Sequence, residues 1–314
     1  MKTEYLLNPS FLLKETAVAV GSFDGLHLGH RDVISSLLGV SSKKGLKSVV
    51  LTFSRHPRAF LARNGFPVLT TESEKISLLS RLGVDSTVFV EFSESFASQS
   101  AEEFILNYLI DSLGMKALVL GKDHAFGRDR CGQEVLRSLG KEMGFEVIVV
   151  ESVLWDNLAI KSTRIRDCLI AGEMSSVAQM LGRPYSISGV VSRGMGRGGK
   201  LGFPTVNIKH PEDKLLPPNG VYISTDGDGM PGLLYVGSAP TFGEREIVAE
   251  FHGVNSPRAE YGQEFAVSVI ERLRGEKTFQ SSEDLVRQMD EDKRVLVKWL
   301  KDEGIVLINN SKEA

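Results

Sequence analysis

Apolar and polar residues alternate along this chain in two different textures, and the change falls near Tyr185. From Ala17 to about Val150, short apolar runs are separated by segments of helical period. The runs Ala17–Phe23, Lys47–Phe53, Ser86–Phe92, Lys116–Leu120 and Phe145–Val150 have the composition of strands buried on both faces. Start signals mark the helices between them. Thr71 with Glu74 makes a capping-box pattern ahead of Ile76, Leu78, Leu79 and Leu82, and Gly83 supplies the stop. Ser100 with Glu103 repeats the pattern before Phe104, Tyr108 and Leu109, with Gly114 beyond. Strands alternating with helices predict an α/β N-terminal domain built on a doubly wound parallel sheet.

After Tyr185 the helical period stops and glycine becomes dense. The segments Ile187–Ser192, Val206–Lys209, Gly220–Thr225, Leu233–Gly237, Ile247–His252 and Glu264–Glu271 read as short strands between turns. They predict a small antiparallel β-barrel. A terminal helix follows, with Leu285, Met289, Leu296, Trp299 and Leu300 on one stripe and Ser282 as its cap. The expected division is therefore residues 1–185 and 186–314, with neither an internal repeat nor a low-complexity linker.

Composition narrows the class. The 314 residues are 42% hydrophobic and 25% charged, the proportions of an ordinary globular protein of two domains. Net charge is -3, which offers no global attraction to nucleic acid or to an anionic membrane. Cys131 and Cys168 are too few for a disulfide framework and form no metal-binding pattern. With no signal-peptide pattern and no uncharged run long enough to span a bilayer, the expectation is a cytoplasmic protein.

Candidate chemistry starts where the first strand ends. Ala17–Val20 runs into Gly21-Ser22-Phe23-Asp24-Gly25 and then His27-Leu28-Gly29-His30. Strand, glycine turn and helix start together make an anion site, because free backbone N–H groups and the positive end of a helix dipole converge there. His27 and His30 are spaced to share one face of the first helical turn, where imidazole N–H groups can hold phosphate oxygens. Alone, an HxxH pair suits a solvated surface or a metal as well. Further on, Lys161-Ser162-Thr163-Arg164-Ile165-Arg166 opens a helix running to about Gly172, with Ser162 as its cap. Arginines at a helix N-terminus oppose the dipole, so they indicate either a bound anion or a solvated basic face. In the second half, the glycines of Ser192–Ile208 permit either a phosphate-wrapping loop or a plain hairpin.

The stretch GSFDGLHLGH resembles the GxFDGxHxGH signature of HxGH nucleotidyltransferases, and in particular of the bacterial bifunctional riboflavin kinase/FMN adenylyltransferase family, the FAD synthetases. Four further stretches resemble that family in family order. His56-Pro57 stands in VVLTFSRHP, where Ser54-Arg55 replaces the usual Asp-Pro. STRIR matches SSTRIR, with Lys161 for the first serine. Gly202-Phe203-Pro204-Thr205-Val206-Asn207 matches GxPTAN, with Val206 for Ala. Glu250 lies eleven residues before Tyr261 of a YG pair. GKDHAFG (Gly121–Gly127) is similar to GxDFxFG with His124 for Phe, and Ser238–Gly243 is similar to the family's PTF segment, read as a structural turn.

The resemblance implies ATP-dependent phosphorylation of riboflavin to FMN, then adenylylation of FMN to FAD with release of pyrophosphate. An alternative leaves one site active and the other domain only binding flavin. It implies that His27 and His30 are catalytic in the adenylyltransferase, whose ATP and phosphate contacts are Gly21, Phe23, Asp24, Gly25, Asp123, Ser162, Thr163 and Arg164. In the kinase, Glu250 is implied as the catalytic base. Gly194, Gly196, Gly202, Pro204, Thr205 and Asn207 are its phosphate-binding set, with Thr205 and Asn207 at a Mg²⁺ ion. The partners implied are small molecules (riboflavin, FMN and ATP), with no nucleic acid, membrane or obligate protein partner.

Overall fold

The computed structural model describes residues 1–6, 13–62, 66–124, 126–194, 202–240, 245–255 and 259–305. Gly196 and the segment from Thr241 to Gly243 lie outside these. Contacts divide the chain into two units. The first comprises Met1–Arg166, Met180–Gly182 and Asp213–Leu215, and the second Asp167–Gln179, Arg183–Glu212 and Leu216–Ala314.

The first unit is built on β1 (Lys2–Leu6), β2 (Thr16–Val20), α1 (Leu28–Lys44), β3 (Lys47–Phe53), α2 (Pro57–Leu61), α3 (Glu72–Arg81) and β4 (Ser86–Val90). It continues through α4 (Glu94–Ala97), α5 (Ala101–Phe104), a π-helix (Ile105–Ser112), β5 (Met115–Gly121), α6 (Gln133–Met143), β6 (Glu146–Val150) and the hairpin β7 (Leu154–Trp155) and β8 (Leu158–Ala159). The six-stranded sheet has the order β1-β4-β3-β2-β5-β6, every pair parallel. Val18, Leu51, Val88 and Leu118 point to one face, against Ile105, Leu109 and Leu136. Ala17, Ala19, Val50 and Val119 point to the other, against Val33, Ile34 and Leu37 of α1. Helices on both faces explain the unbroken apolar runs, and the doubly wound expectation is met.

Both capping boxes form: Thr71 accepts from the Glu74 backbone N–H while Glu74 reaches back to Thr71, and Ser100 and Glu103 do the same. The structure differs from the expectation at four points. β2 ends at Val20 rather than Phe23 and β4 at Val90 rather than Phe92. The first is short because Phe23 has φ +47°, which no strand accommodates. β1 was not expected from the pattern; it is an edge strand with Lys2 and Glu4 among its five residues. Ser162 is not a cap. It is the first residue of α7 (Ser162–Ala171), Ile165 N–H bonds the Lys161 carbonyl, and the serine hydroxyl donates to the Asp24 carbonyl instead.

The second unit takes most of α7, much of α8 (Met174–Leu181), and then β9 (Tyr185–Ser192), β10 (Val206–Lys209), β11 (Gly220–Asp226), β12 (Pro231–Pro240), β13 (Arg245–Gly253), β14 (Glu264–Gly275) and α9 (Ser282–Asp302). The strands close an antiparallel barrel in the order β10-β13-β12-β11-β14-β9. Val221, Ile223 and Leu233 pack outward on Leu296 and Leu300 of α9. The alternate positions, among them Ile208, Tyr222, Leu234, Phe251 and Val267, are buried and fill the interior. Arg274 on β14 grips the buried Asp292 of α9 through Nε (2.9 Å) and Nη2 (2.7 Å). The helix cap is Ser281, not Ser282: its extended backbone (φ -137°, ψ 162°) lets its hydroxyl accept the Asp284 N–H.

Candidate active sites

In the sheet of the first unit the strand order reverses between β2 and β5, and ligands of such sheets bind at the carboxyl ends beside that switch. A cavity of about 420 Å³ lies there, lined by the turns that leave β2 and β5 and by the start of α7. The turn after β2 departs from ordinary backbone at Phe23 (φ +47°), Gly25 (φ +86°) and Leu26 (φ +41°). Two of these are bulky residues in a left-handed conformation, a cost that surrounding structure must impose. The buried carboxylate of Asp24 does much of that. It accepts from the Leu69 N–H (2.9 Å), the Thr70 N–H (2.9 Å) and the Thr70 hydroxyl (3.2 Å), and it pairs with Arg166.

His27 is the N-cap of α1 and His30 its third residue, so the two do not share a helical face as the spacing implied. They meet by a different route: the His27 Nδ1 accepts the His30 backbone N–H (3.3 Å), and the rings stack with centroids 3.6 Å apart. Because Nδ1 accepts, a neutral His27 carries its proton on Nε2. Burial, reinforced by His27, Lys75 and His124, holds His30 well below the ordinary imidazole range, so it is neutral near pH 7. Its buried Nδ1 has no hydrogen-bond partner among the described residues.

Cations surround these rings. Lys161, Arg58, Lys122 and Arg166 line the cavity, with Asp123 and Glu151 as its acids. Lys161 pairs with Asp123 at 3.0 Å. Arg58 approaches the Thr163 hydroxyl at 3.5 Å. Phe66 lies against His56 (4.5 Å between rings) and under the Arg166 guanidinium (4.4 Å). Burial pushes His56 down to about 4 and His124 to about 4. Of the residues the sequence singles out, Gly21, Phe23, His27, His30, Asp123, Ser162 and Thr163 line the cavity. Asp24 and Gly25 lie beneath it. Arg164 turns away, stacked over Trp155 at 4.4 Å with Nη1 on the Trp155 carbonyl (2.8 Å). Arg166 takes the position at the cavity, and helical spacing explains it: residues 162, 163 and 166 share a face that 164 does not. His56, Arg58 and His124 also join the site.

In the second unit, register creates the constellation. Asn207 on β10 is directly opposite Glu250 on β13, and Glu250 is directly opposite Tyr235 on β12. The three side chains therefore share one face, the outer one, since Val206 and Phe251 beside them are interior. The Tyr235 hydroxyl donates to Glu276 (2.5 Å) and is raised far above its usual range by burial, by that bond and by the charges of Glu276 and Glu250. A Cβ on Gly194 would overlap the Asn207 amide, so glycine is needed for this approach. Gly202 (φ +86°) lets the chain turn into Phe203-Pro204-Thr205. The Pro204 carbonyl accepts from His252 Nδ1 (2.8 Å), and the His252 ring lies 5.4 Å from Phe203.

Residues 11–164 match the family described as FAD synthetase, and residues 181–300 the family described as riboflavin kinase. A bifunctional riboflavin kinase/FMN adenylyltransferase of Buchnera aphidicola is 34% identical over 293 residues, covering 90% of this chain and 94% of its own. One from Listeria monocytogenes is 34% identical over 306 residues, covering 94% and 96%. The crystal structure of a Streptococcus pneumoniae protein titled a macrolide-efflux protein superposes with a TM-score of 0.85 at 29% identity, over 95% of this chain and 100% of that one. That likeness is one of fold. Two matched halves, with relatives covered nearly end to end, show that the chain belongs to the bifunctional riboflavin kinase/FMN adenylyltransferase family.

Proposed function

We propose that the two activities of the family are divided in this chain between residues 1–185, which adenylylate FMN, and residues 186–314, which phosphorylate riboflavin. The observation that carries the first assignment is the pair His27 and His30, stacked at 3.6 Å in a cavity rimmed by cations at the switch point of the sheet. The FMN phosphate attacks the α-phosphorus of ATP and pyrophosphate leaves, with no covalent intermediate on the protein. The neutral imidazole of His30 suits this step, because it donates to phosphate oxygens without a strongly hydrated charge that must be stripped of water. His27 donates through Nε2, and His30 offers its unpartnered Nδ1. Lys161 and Arg166, with Ser162, Thr163 and Asp123, hold the triphosphate, while Asp24 and Gly25 fix the turn. Arg164 in this reading contributes its charge from behind the cavity.

In the barrel half, Glu250 takes the proton of the riboflavin 5′-hydroxyl as the γ-phosphoryl of ATP is transferred. Asn207, its direct cross-strand neighbour, assists it. Thr205 and Asn207 offer hard oxygen donors, and Gly194 leaves backbone rather than a side chain against the amide; that set suits Mg²⁺ shared with phosphates. When bound with ATP, Mg²⁺ neutralises charge on the γ-phosphoryl group. Gly194, Gly202 and Pro204 shape the described ends of the loop around the phosphates; Gly196, the remaining member of the expected set, lies outside the described residues.

Both steps take place in the cytoplasm on small molecules, with no nucleic acid, membrane or obligate protein partner. Support comes from the net charge of -3, the two cysteines that form no disulfide, and the fact that no helix among the described residues is long and apolar enough to cross a membrane. The test is a time course with riboflavin, ATP and Mg²⁺, separating flavins by chromatography. FMN should appear first and FAD after it. FMN without FAD, or conversion only of supplied FMN, would leave one active site and reject the bifunctional reading.

A further inference from the structure

Three residues of the first unit come from far along the chain. Asp213, Lys214 and Leu215 lie between β10 and β11, yet they pair with residue 68 in a parallel bridge. The Val68 N–H donates to the Asp213 carbonyl (2.7 Å) and the Leu215 N–H to the Val68 carbonyl (2.9 Å). The Lys214 side chain is 0% exposed, and its Nζ donates to the Leu69 carbonyl (2.8 Å) and to Glu74 Oε2 (2.6 Å). The same Glu74 oxygen accepts the Thr71 N–H and closes the capping box of α3 (2.9 Å). Lys214 thus fixes both ends of the segment 69–74. Within that segment, the N–H groups of Leu69 and Thr70 and the Thr70 hydroxyl hold the Asp24 carboxylate. Asp24 in turn pairs with Arg166, whose guanidinium lines the cavity.

We propose that Lys214 is a positioning residue for adenylyl transfer, acting through Leu69, Thr70 and Asp24 on Arg166. This rests on reading the cavity as the adenylyltransferase site. A lysine stripped of water is a costly way to brace a loop, since a buried ion pair often stabilises no more than apolar residues of the same volume. What it supplies here is direction: two oxygen atoms of one short segment are fixed by one ammonium group, and the donors aimed at Asp24 are carried by the same segment. Lys214 is not among the residues that line the cavity, so its effect must appear in how ATP is held and not in the identity of any reacting group.

The experiment uses the full chain. Initial rates of FMN adenylylation against ATP, and of riboflavin phosphorylation, are measured for wild type, Lys214→Met, Lys214→Arg and Thr70→Val, each well below its melting temperature. Displacing a binding group by a fraction of an ångström to 1 Å costs up to about a hundredfold, so Lys214→Met should raise the ATP KM of adenylylation by about tenfold or more. Riboflavin kinase turnover should be unchanged. Lys214→Arg, which keeps a donor to both oxygens, should recover much of the loss. Thr70→Val, which removes a donor to Asp24 and leaves Lys214 in place, should shift the same KM in the same direction. If Lys214→Met does not fold, the double variant Lys214→Met/Glu74→Gln removes both charges and keeps the Thr71 cap; it should fold and still bind ATP poorly. A folded Lys214→Met, or double variant, with the wild-type KM would overturn the assignment. Failure of the wild type itself to make FAD from FMN would instead overturn the reading of the cavity, and the proposal with it.

Discussion

The two regions proposed to handle phosphate are assembled by opposite means. In the first unit, His27 and His30 depend on a turn with left-handed Phe23 and Leu26, on a buried Asp24 that collects four contacts, and on burial that keeps the His30 ring neutral. In the second, Asn207 and Glu250 need no unusual backbone at their own positions. Ordinary antiparallel register sets them opposite one another on the half-exposed face of a barrel. The first region is prepared by tertiary structure before substrate arrives, so its function depends on residues that touch no substrate. The second is prepared by strand pairing alone, and the chemistry proposed for it would depend on a few half-exposed side chains and on the phosphates brought to them.

The sharpest way to break the comparison is at Glu250. Glu250→Gln keeps size and hydrogen-bonding reach but cannot accept a proton at neutral pH. Riboflavin kinase turnover should fall about 10²–10⁴-fold, the range of general acid–base catalysis. Strand register is untouched, so riboflavin and ATP should still bind, and supplied FMN should become FAD at the wild-type rate. Near-normal FMN formation by this variant would return Glu250 to the status of an ordinary strand residue.

The next effect in size belongs to the imidazoles. Removing one preorganised donor to developing negative charge typically costs about 10²–10³ in rate. His30→Ala should lower FAD formation by that amount and leave riboflavin phosphorylation alone. His27→Ala should do the same and also lower the melting temperature, because His27 caps α1 and a lost cap costs about 0.5–2 kcal/mol. If FMN and FAD production fall together in either variant, the histidines serve the fold and not the transfer.

The comparison also explains what the sequence could tell. Strand identity in the parallel sheet was legible because burial on both faces leaves an unbroken apolar run, and the capping boxes because four residues contain the whole device. Six barrel strands were legible from alternation. Glu250 and Asn207 were singled out only through family resemblance; their pairing is a matter of register, which 42 intervening positions do not display. β1 escaped because an edge strand with charged residues carries no apolar run. Ser162 and Ser282 were each misjudged as caps by one position, since adjacent residues at a helix start differ only in backbone geometry. Lys214 was invisible for a stronger reason: its partners Leu69 and Glu74 lie 145 and 140 residues away along the chain.

The smallest expected effect is in stability, and it separates the two regions by pH. Burial lowers His124 from its ordinary 6.5 to about 4, and His56 from 6.5 to about 4. Between those values the unfolded chain binds protons that the folded chain does not, so folding stability rises with pH across this window. The contribution is present in full above about pH 6.5 and is lost as pH falls through about 4. His30, His56 and His124, the histidines that burial lowers, all belong to the first unit, so acid should loosen that unit first. Thermal melts at pH 7, 6, 5 and 4 should show a falling transition, with adenylylation lost at a temperature where riboflavin kinase persists. His124→Phe removes one of the buried titrating rings and keeps an aromatic against Phe126, 4.6 Å away in the present packing. It should flatten the pH dependence of the first unit's melting while changing its melting temperature little at pH 7. A variant whose transition still falls as steeply as wild type between pH 6.5 and 4 would show that His124 is not one of the groups that acid must force to charge.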